Sequence, residues 1–232
     1  MNRSKLAGMI LTGLMAAGLT AQEMRFAVPE YLPFTGMVDG KAAGIGVDLV
    51  GKILKDAGLT MVVHVVPNFS RCIAEVQNNT ADGFFLGSQN DERDAVAVMS
   101  DQIMINNWVW VLSKKSALNP KDADFKEKAQ VGVILNSNPH TWLKNNGFKI
   151  TGTPNTSASL ITMLEANRFD VILVPELVYL DAIKGTTFKA DGYQVVLQAK
   201  QPFGMYISKQ YIAAHPDFMA KLNAAIKKDA PK

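Results

Sequence analysis

The chain has 232 residues, 48% hydrophobic and 19% charged, with a mean hydropathy of +0.05. That is enough apolar material for one or two compact cores, and it excludes disordered and fibrous classes. The formal charge of +3 includes Arg3 and Lys5 of an N-terminal segment whose removal leaves 22 basic against 21 acidic residues. A balance of +1 supplies no general attraction to nucleic acid or an anionic membrane, and neither is expected as a partner.

Met1-Asn-Arg-Ser-Lys5, the apolar run Leu6 to Leu19 and Thr20-Ala21-Gln22 follow the order of a secretory signal peptide, so residues 1–22 are expected to direct export to the periplasm. Ala21 suits the last position before cleavage, and Gly18, with Ala16 upstream, is the competing site. The run of about 14 residues falls short of the ~20 that a membrane-crossing helix needs. Cys72 is the single cysteine, which leaves no internal disulfide and no thiol for a lipid at the processing site.

From Met24 onward, short apolar runs alternate with amphipathic stretches: Arg25 to Val28, Val47 to Ala57, Met61 to Val66, Phe69 to Asn78 and Gly83 to Gly87. This is a β-α-β-α-β series. Asp39-Gly40 marks a tight turn, Asp48 is expected to cap the first helix and Gly58 to end it. The unbroken apolar stretch Gly83 to Gly87 suits a strand covered on both faces. His64 is read as a core or cross-strand residue and Cys72 as a buried thiol beside Ile73 and Val76.

The same grammar repeats beyond the polar stretch Lys114 to Gln130, with strand Val131 to Leu135, helices Pro139 to Asn145 and Thr156 to Asn167, strand Val171 to Val174 and helix Glu176 to Lys184. Strand-like Trp108 to Leu112 and Phe203 to Ile207 bracket this block and are candidates for crossings between two lobes. His215 and Pro216 are expected to open a final helix, with Phe218, Leu222 and Ile226 spaced by four, which returns to the first lobe. The expected division is 23–107 plus 203–232 for lobe 1 and 108–202 for lobe 2. Open α/β sheets bind ligands beyond the carboxyl ends of their strands, so the loops after each strand are the places to search.

Nucleophile-elbow, zinc-protease, paired-cysteine and phosphate-loop signatures are all absent, and Gly44-Ile-Gly46 lacks the third glycine of a dinucleotide fingerprint. His64, His140 and His215 have no metal-ligand spacing. Neither a metal nor another cofactor is expected. The strand-end loops are more informative: Tyr31-Leu-Pro-Phe34 follows the first strand, Phe69 the second, and Ser88-Gln-Asn-Asp-Glu-Arg93 the third. Arg93 has two readings, a bidentate clamp for a carboxylate or a surface partner of Glu92 or Asp94. Tyr31 and Phe69 either face each other across a ligand or close a core.

These residues resemble the periplasmic solute-binding proteins of ABC importers, in the amino-acid-binding branch called family 3. Tyr31 to Phe34 is similar to the family's Y-x-P-F, and Asp39 to Leu49 to its D-G-x-x-x-G-F-D-V-D-L. Phe69 to Asp82 matches its aromatic, helix and small-residue-Asp spacing, while Glu92-Arg93 with Met99-Ser100 is similar to its E-R and F-S. Val131-Gly-Val133, Asn167 to Asp170 and Gly204 to Lys209 follow in the family's order. The resemblance implies an α/β, two-lobed periplasmic-binding-protein type II fold, each lobe a mostly parallel sheet flanked by helices, with the ligand cleft between lobes. It implies a monomer that closes on a small carboxylate or amino-acid ligand and delivers it to an inner-membrane ABC permease.

Carried over by position, Tyr31 and Phe69 are the aromatic contacts, Arg93 the carboxylate clamp and Ser88 its hydroxyl partner. The family's paired threonines fall on Ser137 and Asn138, and the glycine before them on Asn136. The acid that holds an α-amino group falls on Pro175, with Glu176 next in sequence as the remaining candidate. Two other functions use the same scaffold. One is an exported lyase similar to the periplasmic cyclohexadienyl dehydratases, with Glu176 as its acid; the other is sensory capture for a membrane partner.

Overall fold

The computed structural model describes residues 22–229. The expected signal peptide lies outside the described residues except for Gln22, which already pairs in a strand. The first half contains β1 (Gln22–Pro29), β2 (Gly36–Val38), β3 (Lys41–Ala43), α1 (Ile45–Asp56), β4 (Leu59–Val66), α2 (Phe69–Gln77), β5 (Gly83–Gly87), α3 (Asp91–Val96), β6 (Ala97–Met99) and β7 (Met104–Ser113). The second contains α4 (Phe125–Lys128), β8 (Gln130–Gly132), α5 (Asn138–Asn145), β9 (Lys149–Gly152), α6 (Ser157–Glu165), β10 (Val171–Pro175), α7 (Glu176–Ile183), β11 (Tyr193–Ser208), α8 (Lys209–Ala214) and α9 (Phe218–Asp229).

The strands form two α/β lobes joined through one continuous sheet ordered β4-β1-β5-β11-β7-β10-β8-β9, with β6 also on β11. Pairing is parallel in β4-β1-β5 and in β10-β8-β9, whereas β7 and β11 run antiparallel to their neighbours. The two long strands carry the chain between lobes: β11 lies against β7 as far as Phe203 and takes up β5 at Gly204. Strands β5 and β10 are buried along their whole length, as unbroken apolar runs covered on both faces should be. α9 returns to the first lobe, where Lys228 Nζ lies 3.1 Å from Asp56 and Lys52 Nζ lies 3.0 Å from Asp229.

Each face of the sheet has its own apolar filling. Ile53 and Leu54 of α1 pack with Phe26, Phe85 and Leu222 on one face of the first lobe. Cys72, Ile73 and Val76 of α2 pack with Ala27, Phe84 and Tyr206 on the other, where burial pushes the Cys72 thiol up to about 12. In the second lobe Trp110, Phe125, Val131 and Leu143 form a separate cluster.

Several local expectations are corrected. Asp48 sits within the first turn of α1 and caps nothing; Gly44, at φ +121°, holds the cap position, where a Cβ would stand 2.5 Å from the Phe34 carbonyl oxygen. His64 is exposed, because β4 is the sheet edge and Ala27 on β1 is its partner. His215 closes α8 and does not open α9, which starts at Phe218. β8 stops at Gly132, and β11 begins ten residues before the expected Phe203. Asp39-Gly40 does form the tight turn, both at positive φ, between β2 and β3.

At Gly83 a Cβ would meet the Tyr206 carbonyl oxygen at 2.2 Å, a backbone atom held in the β5–β11 ladder. Gly83→Ala is therefore expected to lower the urea unfolding free energy by about 1–3 kcal/mol. An unchanged midpoint would show that the two strands separate freely.

Candidate functional site

The strand-end loops converge on one cavity of about 450 Å³ between the lobes. Helix caps hold its rim in shape. Asn68 accepts from Arg71 N at 3.0 Å to start α2, Ser137 accepts from His140 N at 3.3 Å to start α5, and Thr156 accepts from Ser159 N at 3.2 Å to start α6. Three helix N-termini, one from the first lobe and two from the second, thus turn their positive ends toward the same space.

Arg93 lines this cavity and is only 2% exposed. Its Nη1 donates to the Ser88 carbonyl oxygen, and the Phe69 ring covers the guanidinium with its centroid 4.1 Å from Cζ. Nε is buried without a partner, and no carboxylate among the described residues pairs with the group. The surface ion pair with Glu92 or Asp94 is therefore excluded; Asp94 instead takes the Tyr206 hydroxyl at 3.0 Å. Burial pulls the Arg93 pKa down to about 10, opposed by nearby Tyr206, so the group is charged at neutral pH. Gly87 makes room for it: a Cβ there would lie 3.1 Å from Nη1 and 3.3 Å from the Tyr206 ring.

Tyr31 and Phe69 both line the cavity, but their rings meet edge-to-face with centroids 6.1 Å apart. The expected slot between facing rings is thus replaced by a contact between them, backed in the core by Phe34 at 5.7 Å from Tyr31 and by Phe84 at 6.4 Å from Phe69. Burial raises the Tyr31 pKa, so its hydroxyl keeps its proton and remains a donor.

Ser88, Ser137 and Asn138 also line the cavity. Asn138 crosses it: its Nδ2 donates to the Ser88 carbonyl at 3.1 Å and to Ser88 Oγ at 2.5 Å, while its Oδ1 accepts from Asn90 at 2.6 Å. Ser88 and Asn90 follow β5, whereas Asn138 starts α5, so these bonds tie one lobe to the other. Asn136, in the place of the family's glycine, adopts φ +57°, a left-handed conformation that asparagine tolerates. Asn138→Ala is expected to raise the radius of gyration of the ligand-free protein in small-angle scattering. An unchanged radius would show that these bonds do not hold the lobes together.

The carboxylate of Glu176 does not line the cavity; it accepts from Asn107 Nδ2 at 2.9 Å, between α7 and β7. Pro175 ends β10 opposite Trp108 and offers no acid. Among the described residues, the acid on the cavity surface is Glu30, an exposed residue whose carboxylate takes the Met37 N–H at 3.1 Å. Lining residues that sequence reasoning passed over include Asn106 and Trp108, two apart on one face of β7, and Phe203, where β11 changes partner. The sequence marks Trp108 to Leu112 and Phe203 to Ile207 only as crossings, and period-two spacing along β7 is the signal that finds Asn106 beside Trp108.

Residues 24–135 match the family described as bacterial extracellular solute-binding proteins, family 3, which bears out the resemblance carried by the motifs. No curated protein sequence matches the chain. Among solved structures, an ABC uptake transporter substrate-binding protein from Streptococcus pneumoniae with bound histidine is 20% identical, with a TM-score of 0.71 over 89% of this chain and 86% of that one. ArtJ, the arginine-, lysine-, histidine-binding protein of Geobacillus stearothermophilus, is 22% identical, with a TM-score of 0.67 over 88% of both chains. A histidine kinase sensor domain with similarity to periplasmic binding proteins is 17% identical, with a TM-score of 0.73 over 89% and 90%. At these identities the likeness is one of fold, and it agrees with the two-lobed type II architecture.

Proposed function

We propose that this chain, whose residues 24–135 carry the family 3 solute-binding pattern, captures a small carboxylate-bearing solute in the periplasm and presents it to an ABC permease. The observation that carries this reading is Arg93, a buried cation without an ionic partner among the described residues, lining a cavity between two lobes. A buried charge left alone costs several kcal/mol, which an anionic ligand would offset. Tyr31, Phe69, Ser88, Ser137 and Asn138 would complete the ligand shell, and the hinge would lie where β7 and β11 cross, near 107/108 and 202/203. The protein would act as a monomer, and residues 1–22 would direct its export and then be removed.

Among the described residues, no helix is long and apolar enough to cross a membrane. The lyase alternative gains no support at Glu176, which is bonded to Asn107 away from the cavity lining. Fluorimetric unfolding of the purified protein with a panel of carboxylates and amino acids tests the capture reading. At a hundredfold excess over Kd a ligand adds about 2.7 kcal/mol, an expected rise of roughly 5–10 °C in Tm that is lost in Arg93→Ala. A panel in which no carboxylate shifts Tm would overturn it.

A further inference from the structure

We infer that the ligand is a hydroxy- or oxo-carboxylate with an apolar body, and that the cavity selects against the ammonium group of an amino acid. This rests on the capture reading above and narrows its substrate class. The first observation is the free edge of Arg93. With Nη1 spent on Ser88 O, the side formed by Nε and Nη2 is left, and neither nitrogen has a hydrogen-bond partner among the described residues. Two parallel N–H donors on one planar edge match the two oxygens of a carboxylate.

The second observation is Trp108. It lines the same cavity, is 4% exposed, and its Nε1 is buried with no partner. An indole N–H is only a donor, and leaving it unsatisfied costs about 1–3 kcal/mol. A hydroxyl or oxo oxygen of the ligand can accept from it. An ammonium has no lone pair with which to do so.

The third observation is the sign of the charge. Three helix N-termini and the Arg93 guanidinium make the interior positive. Glu30, the single acid on the lining among the described residues, is exposed and already engaged by Met37 N, while Glu176 is held by Asn107 off the lining. An ammonium placed inside would thus be desolvated without an anion to face, a cost of several kcal/mol. Leu86, Ile134, Phe69 and Phe203 on the lining suit an apolar body.

The test uses pairs that differ by one group: L-phenyllactate against L-phenylalanine, and 2-hydroxy-4-methylpentanoate against L-leucine, with phenylpyruvate as the oxo form. Calorimetry is expected to show at least tenfold tighter binding of the oxygen-bearing member in each pair. Trp108→Phe, which keeps an aromatic ring, should weaken phenyllactate binding about tenfold while the ligand-free protein still unfolds in a single cooperative urea transition. Equal or tighter binding of the amino acids, abolished in Arg93→Ala, would overturn the inference and leave the capture reading standing. No binding by any of the five probes would also overturn the inference, whereas the capture reading falls only if the wider carboxylate panel is silent as well. Unaltered phenyllactate affinity in Trp108→Phe would remove the indole as the selecting donor and overturn the inference at that residue.

Discussion

Arg93→Ala is expected to lower the affinity for a carboxylate ligand by about thirtyfold or more, because the substitution removes a charge-assisted pair shielded from water, worth about 2–5 kcal/mol. Arg93→Lys should fall well short of rescue. A single ammonium cannot present the Nε–Nη2 edge that stays open when Nη1 is held by Ser88 O. The ligand-free protein should respond in the opposite sense. Its folded-state pKa for Arg93 is lowered to about 10 by burial, so the charged form is disfavoured by folding at every pH below that value. Arg93→Met, which keeps an unbranched chain and drops the charge, should therefore leave the unfolding free energy of the ligand-free protein unchanged or raised. Calorimetry on all three variants, with urea unfolding alongside, would check both halves. A variant that loses stability and binding in parallel would make Arg93 a structural residue.

Phe69→Ala has the second large expected effect. The ring lies half-buried at the start of α2, touches Tyr31 and Phe84 edge-to-face and covers the Arg93 guanidinium at 4.1 Å. Removing it takes a wall from the cavity and lets water reach the cation, which weakens the field that a carboxylate would meet. Ligand affinity should drop by about 2–3 kcal/mol, some thirtyfold to a hundredfold, while ligand-free stability falls by less because the ring is only partly enclosed. The order would reverse if Phe69 were mainly a core residue.

Residues whose chemistry is local were legible in the chain. Asn68, Asn90, Ser137 and Thr156 each accept the N–H three residues on, a local signal that the expectation of a cap at Asp48 passes over. Gly83 to Gly87 and Val171 to Val174 announced themselves as interior strands by unbroken apolar runs. What depends on pairing partners was not legible. The exposure of His64 follows from β4 being the sheet edge, and the length of β11 from lying along β7, a partner some 90 positions away in sequence. Its first part, Tyr193 to Pro202, mixes half-buried and exposed residues because that stretch is covered unevenly, so an apolar-run criterion found only the buried end.

The site was legible to the same degree. Arg93 was singled out by its place at a helix start after β5, but whether it paired with Glu92 or Asp94 or stood alone is a matter of side-chain direction that spacing does not carry. Glu176 neighbours the position of the acid that the resemblance implies. One residue of displacement at the start of α7 sends its carboxylate to Asn107 and leaves Pro175 in the strand end. Tyr31 and Phe69 were found as a pair, yet their mutual contact is set by the approach of two loops and could not be read as a slot or a wall beforehand.

Mass-spectrometric screening of wild-type protein against a metabolite library, with readout of both bound compounds and products, tests the central claim most directly. The expected result is recovery of a chemically unchanged carboxylate from wild type and its absence from Arg93→Ala. Turnover of a bound compound that disappears in Glu176→Gln, or equal recovery from wild type and Arg93→Ala, would contradict the account.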